Sequence, residues 1–134
     1  MSRYIAIDYG EKRLGVAATD ESKQQAFVRP VINVKDDNDS IQALIKLVKE
    51  EKAELIVIGL PIGLNGQETE QTIRVKDFTK LLALQIDVPI EFWDERLSTV
   101  AARKITPDKS KENIDSQAAK ILLDDYIDFR RING

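Results

Sequence analysis

The sequence predicts an α/β fold: a mixed five-stranded sheet in the order 3-2-1-4-5, with helices on both faces. Three observations predict it. Apolar runs at residues 3–8, 14–19 and 25–34 follow one another with links too short for a crossover, the pattern of an antiparallel meander. Two later runs, Glu54–Gly59 and Val88–Trp93, each follow a stretch of helical periodicity, the pattern of parallel strands reached by crossovers. No repeat, low-complexity stretch or shift of composition divides the 134 residues, so one domain over 1–134 is expected.

The first strand, Arg3–Asp8, ends on a carboxylate and turns through Gly10-Glu11-Lys12-Arg13 into the second, Leu14–Thr19. The third, Gln25–Val34, contains Pro30, which has no ladder donor and so belongs at a sheet edge or a bulge. Asp39-Ser40 offers an N-cap for a helix with Ile41, Leu44, Ile45 and Val48 on one face. The fourth strand, Glu54–Gly59, is an unbroken apolar run of the kind buried on both faces. Gly59–Gly66 is a loop, with three glycines and a proline in eight residues. Helix is expected again from about Glu68, with Ile73, Phe78, Leu81, Leu82 and Ile86 inward. After the fifth strand, Ser98 or Thr99 caps a short helix, Ile105–Asn113 is a polar loop, and a last helix runs from Ile114 to Ile132. In that helix Ala118, Ile121, Leu122 and Phe129 are the inward residues.

Composition removes several chemistries. With no cysteine there is no disulfide, thiolate metal site or cysteine nucleophile, and with no histidine Ser-His-Asp chemistry is excluded. Carboxylates, lysines, hydroxyls and hard cations remain, and a surplus of Asp and Glu supplies the oxygen donors that such cations prefer. The net charge of -3 argues mildly against a nucleic-acid partner, although Arg103, Lys104, Lys109 and Lys111 form a local basic cluster. No apolar run approaches the roughly 18 residues of a bilayer span. The strand pattern begins within three residues of Met1, leaving no room for a secretory signal. A cytoplasmic protein without a membrane partner is therefore expected.

Three acids stand where elements meet: Asp8 after strand 1, Glu95 after strand 5, and Asp115 at the start of the last helix. In the expected sheet Asp8 ends the central strand, where open α/β sheets place their ligands. Strand 5 lies about two inter-strand spacings, roughly 9–10 Å, away. Asp115 precedes Ala118, Ala119 and Leu122 by helical spacings, which puts it on the sheet-facing side. Three carboxylates so placed repel one another, and a divalent cation relieves the repulsion while activating water and stabilising charge on a phosphate. Each acid has an ordinary alternative: a turn cap for Asp8, an ion pair with Arg96 for Glu95, a helix-end charge for Asp115. Asp94 competes with Glu95 for the inward position, because neighbouring strand residues face opposite ways. The glycine-rich loop, with Gly63 and Asn65, offers amides that could hold a backbone phosphate, or is simply a turn needing glycine. Lys12, Arg13, Arg74, Arg96 and Arg103 are the cations expected along the same edge.

The chain resembles the YqgF/RuvX family. The resemblance rests on Ile7-Asp8-Tyr9-Gly10 with Gly15-Val16-Ala17, Gly59-Leu60-Pro61 with Asn65-Gly66, Asp94–Thr99, and Ile114-Asp115-Ser116 with Ala118-Ala119 and Ile121-Leu122, in order and over nearly the whole chain. It implies an RNase H-like fold and a Mg²⁺- or Mn²⁺-dependent phosphodiesterase with Asp8, Glu95 and Asp115 as catalytic and metal-ligating acids. It further implies processing of the 5′ end of pre-16S ribosomal RNA, with resolution of Holliday junctions in branched DNA as the alternative. Partners implied are nucleic acid and ribosome-assembly or RNA-processing factors, with the protein a monomer or a homodimer. Lys12, Arg13, Gly63, Asn65, Arg96 and Arg103 are the expected nucleic-acid contacts. Strand 4 ends in Gly59, where RNase H itself has an acid, and the Ile105–Asn113 loop is short and carries Pro107 and Asp108. Two further classes share parts of the pattern: a phosphotransferase of the actin and sugar-kinase type, which needs a second lobe, and a non-catalytic RNA-binding module.

Overall fold

A computed structural model describes residues 2–97 and 111–133 of the chain. The described elements are β1 (Arg3–Asp8), β2 (Arg13–Thr19), β3 (Ala26–Asn33), α1 (Asp37–Glu51), β4 (Ala53–Leu60), α2 (Glu70–Ala83), β5 (Ile90–Asp94), a 3₁₀ turn (Glu95–Leu97) and α3 (Lys111–Asn133). The sheet runs β3-β2-β1-β4-β5, antiparallel from β3 to β1 and parallel from β1 to β5, as expected. The short helix after Ser98, residues 105–110 of the polar loop, and Arg103 lie outside the described residues.

Alternation along the strands sorts the core into two layers. Ile5, Ile7, Leu14, Val16, Ile56 and Ile58 face α1 and α2, where Leu44, Phe78 and Leu82 meet them. Ala6, Ala17 and Val57 face α3, which brings Ala119, Leu122, Leu123 and Tyr126. The alanines on that face let α3 lie close to the central strands. No helix among the described residues is long and apolar enough to cross a membrane.

The elements depart from expectation at their ends and on their faces. Asp36, not Asp39, caps α1: its carboxylate accepts from the Asp39 amide at 2.8 Å, while Asp39 reaches back to the Lys35 amide at 2.9 Å. Of several adjacent capping residues the first one wins, because each added turn gains intrahelical bonds. The second helix begins at Glu70 behind a Thr69–Thr72 capping box. Its buried stripe is Val75, Phe78, Thr79 and Leu82, whereas Ile73 and Leu81 are about half exposed and Ile86 lies beyond the helix end. The cap fixes the rotation, and Thr72, anchored to the Pro61 carbonyl, holds the inward position that Ile73 was expected to share. β5 starts at Ile90, after Pro89 has given its carbonyl to the Ile56 amide at 3.0 Å. α3 starts at Lys111 rather than Ile114, since nothing between Lys111 and Asn113 breaks a helix. Phe129 is half exposed, its ring set edge-on to Trp93 at 5.5 Å between centroids.

Candidate active site

Two glycines decide what can stand beside Asp8. Across the antiparallel pair Asp8 is registered with Gly15. On the parallel side Ile7 is registered with Ile58, so the next residues, Asp8 and Gly59, end neighbouring strands. A methyl group on Gly15 would sit 2.1 Å from the backbone oxygen of Asp115. A methyl group on Gly59 would lie 2.6 Å from Leu122 Cδ1 and 3.3 Å from Glu95 Cγ. The missing side chains are therefore the space through which α3 brings Asp115 down on one side and the 3₁₀ turn lays Glu95 over the other.

The approach of α3 is held by Ser116. The β2–β3 ladder slips between Leu14 and Val16, leaving Gly15 opposite the Pro30–Val31 step, where proline has no N–H to donate. The buried Ser116 hydroxyl fills the gap: it donates to the Arg29 carbonyl at 2.8 Å and accepts from the Val16 amide at 3.5 Å. Sequence reasoning placed Ser116 in a motif without giving it this task. Pro30 was the available signal, since a proline inside a strand leaves a ladder bond for something else to make.

Asp8 and Asp115 line one cavity of about 260 Å³ with Gly10, Lys12 and Arg13. Arg13 does more than line it: its Nε donates to Asp115 Oδ2 at 2.9 Å, an ion pair that is partly buried on both sides. Asp115 is thus neither a cap nor a helix-end charge; it is the fifth residue of α3 and is paired to β2. Glu95 lies on the far side of Asp8, over Gly59. Arg96 grips Asp94 through Nε at 3.1 Å and Nη2 at 2.7 Å and holds its carboxyl below the usual range, while Glu95 lies beside Gly59. Among the described residues no three acids stand close enough together to hold a metal ion. The donor set is still suited to one: all oxygens, no histidine or cysteine, on a rim kept open by two glycines.

The other expected contacts fall around this edge. Lys12 reaches the shared cavity, and Arg96 Nη1 lies 3.5 Å from where a Cβ on Gly66 would be, so it touches the glycine-rich loop. That loop is closed on itself. Gly63 donates to Gln67 O at 2.9 Å, Gly66 to Gly63 O at 2.8 Å, and Asn65 Oδ1 accepts from the Gln67 amide at 3.1 Å. The Gly63 amide expected to be available for a phosphate is therefore spent inside the turn, whose left-handed Gly66 (φ 84°) requires glycine. Leu64 stands at its tip, 95% exposed. Arg74 pairs with Glu11. Tyr9, next to Asp8, donates its hydroxyl to Asp37 at 2.5 Å, and burial together with that bond pushes its pKa far up, so the phenol stays protonated.

Comparison with known proteins gives this geometry a context. The model of a family described as "RuvX: Holliday junction resolvase" matches residues 2–129. A Chloroflexus aurantiacus protein named "Putative pre-16S rRNA nuclease" is 36% identical over 135 residues, covering 96% of this chain and 88% of that protein. A protein of the same name from Maridesulfovibrio salexigens is 37% identical over 131 residues, covering 93% and 97%. Among solved structures, T. thermophilus RuvC in complex with Holliday junction substrate superposes with a TM-score of 0.66 at 11% identity, covering 99% of this chain and 97% of that one. The fowlpox virus Holliday junction resolvase follows with a TM-score of 0.53, also at 11% identity, covering 95% and 99%. At that identity the likeness is one of fold, the RNase H-like fold of these resolvases.

Proposed function

The chain belongs to the RuvX family, and from that premise we propose that it is a divalent-metal-dependent nuclease. Its substrate in this reading is the 5′ end of pre-16S ribosomal RNA, and its catalytic and metal-ligating residues are Asp8, Glu95 and Asp115. The observation that carries the reading is the pair of glycines flanking Asp8, which admits one further carboxylate on each side of the central strand end. Branched DNA is the second substrate reading, favoured by the description of the matching family.

Asp8, at the end of a strand paired on both sides, is the fixed member. Glu95 lies over Gly59 and Asp115 over Gly15, on either side of the strand end that carries Asp8; on this reading their side chains turn toward Asp8 when the cation binds. Asp8, Glu95 and Asp115 would hold Mg²⁺ or Mn²⁺, which would supply positive charge for the phosphate oxygens and a water of lowered pKa. Lys12 and Arg13 set positive charge at the cavity wall, and Arg96 does so beside the glycine-rich loop, where a polynucleotide backbone can follow them. Gly63 and Asn65 serve by shaping that loop, and Arg103 is assigned to the same strand-binding edge. We assign residues 1–134 to one nuclease domain, working beside ribosomal precursors and their processing factors, as a monomer or a homodimer.

The test is cleavage of a model precursor RNA and of a four-way DNA junction with Mg²⁺, Mn²⁺ or EDTA. Metal-dependent cleavage is expected, and Asp8→Asn should lower it by more than about a hundredfold, beyond the 10–100-fold typical of residues behind the ligands. RNA binding without turnover, equal in wild type and Asp8→Asn, sinks the nuclease reading in favour of a binding module. The two substrates decide between RNA and DNA.

A further inference from the structure

We propose that Arg13 is a built-in counter-ion: it holds Asp115 in the metal-free protein and must release it when a divalent cation binds, and so sets the affinity of the site. This rests on the reading of Asp8, Glu95 and Asp115 as the cation site. The backbone of Asp115 is fixed, packed on Gly15 and followed by Ser116, whose hydroxyl joins β2 to β3. Only the side chain of Asp115 is left to choose a partner, and here it has chosen Arg13, at 2.9 Å.

The form of the contact makes it exchangeable. Arg96 holds Asp94 with two nitrogens at once, Nε and Nη2, the geometry of a persistent pair. Arg13 meets Asp115 through Nε alone. Its side chain is 34% exposed and that of Asp115 28% exposed, so water can reach both groups as the pair opens. Arg13 and Asp8 also line the same cavity. A divalent ion placed between Asp8 and Asp115 meets the guanidinium at close range, and like charges in a partly buried cavity repel strongly. The two cations cannot share Asp115 without cost, so binding one weakens the hold of the other.

Two measurements test this on the whole chain. In the first, Mn²⁺ alone is titrated calorimetrically into wild type, Arg13→Met and Asp8→Asn, each shown to be folded by its melting curve. Arg13→Met keeps the aliphatic stem and removes the charge, and it should bind Mn²⁺ about two- to fivefold more tightly, the scale of one partly exposed ion pair. Affinity that is unchanged or weaker overturns the inference, while Asp8→Asn losing affinity upholds the cation site independently. Binding by neither wild type nor Arg13→Met overturns both the inference and the site; binding by Arg13→Met alone supports it in its strongest form. The second measurement needs no variant. The Arg13 Nε–H resonance of wild type is followed by NMR during a Mg²⁺ titration. Its protection from solvent exchange should be lost in step with saturation. A signal that stays protected in the saturated protein overturns the exchange, whether or not Arg13→Met folds.

Discussion

Gly15 and Gly59 look alike in the sequence, each ending an apolar run or opening one, but they bear different loads. At Gly15 an added methyl group meets the backbone of α3, at 2.1 Å from the Asp115 oxygen, and the helix itself must move. At Gly59 the nearest atom is a terminal methyl of Leu122, at 2.6 Å, which can turn aside, with Glu95 behind it. Gly15→Ala should therefore cost about 2–3 kcal/mol, at the upper end for an overpacked core. Gly59→Ala should cost no more than about half of that. Urea unfolding of the two variants checks the order, and a Gly15→Ala costing less than about 1 kcal/mol would show that α3 does not rest on β2 as described. At this scale the sequence was legible where a residue type announces its task. The positions of Asp8 and Asp115 at one cavity follow from where they stand in the chain, their role remaining the proposal above, whereas Arg13 was read as a nucleic-acid contact. Its pairing with Asp115 spans 102 residues, and no local pattern carries such information.

Among the elements, α3 decides the site, and Ser116 decides how α3 sits. Ser116→Ala leaves the Arg29 carbonyl and the Val16 amide without the hydroxyl that serves both. A loss of about 1–2 kcal/mol is expected. The Val16 amide should also exchange with solvent faster in the variant while the Ala6 and Ala17 amides keep their protection. Hydrogen exchange followed by NMR checks this; uniform loss of protection would mean that the sheet, not the helix contact, had failed. The strands and the three helices of the described residues could be read from periodicity because burial alternates every second residue in a strand and every third or fourth in a helix. The inward faces of α2 and α3 were read less well. Thr72 and Thr79 are buried, with bonds to the Pro61 and Val75 carbonyls, while Ile73, Leu81 and Phe129 are half exposed. A polar side chain that satisfies itself locally can take an inward place that hydropathy alone gives to a neighbour.

For the molecule as a whole, the alkaline limit should be set in part by tyrosines. Burial and the carboxylate of Glu91 push the Tyr126 hydroxyl from 10.0 up to about 12. Unfolded chains release that proton at a lower pH than folded ones, so its contribution to stability is complete below about pH 10 and is lost as the pH rises toward 12. The melting temperature should therefore fall between these values, less steeply in Tyr126→Phe; equal slopes would remove Tyr126 from the account. Family membership and fold agree with what the motifs implied, because those motifs are the turns and strand ends that the architecture brings to one edge. The net charge of -3 gave no such guidance, since it does not report that Lys12 and Arg13 stand together at the cavity of Asp8 and Asp115. The long span between Asp8 and Asp115 has a consequence for how the protein comes into being. A chain is made from its N-terminal end and its domains fold as units as they emerge. Asp8 and its hairpin leave the ribosome more than a hundred residues before Asp115, and the alanine face waits uncovered for α3. On the proposed reading of Asp8 and Asp115 as site residues, the site stays incomplete during synthesis until the last helix packs over the first strands.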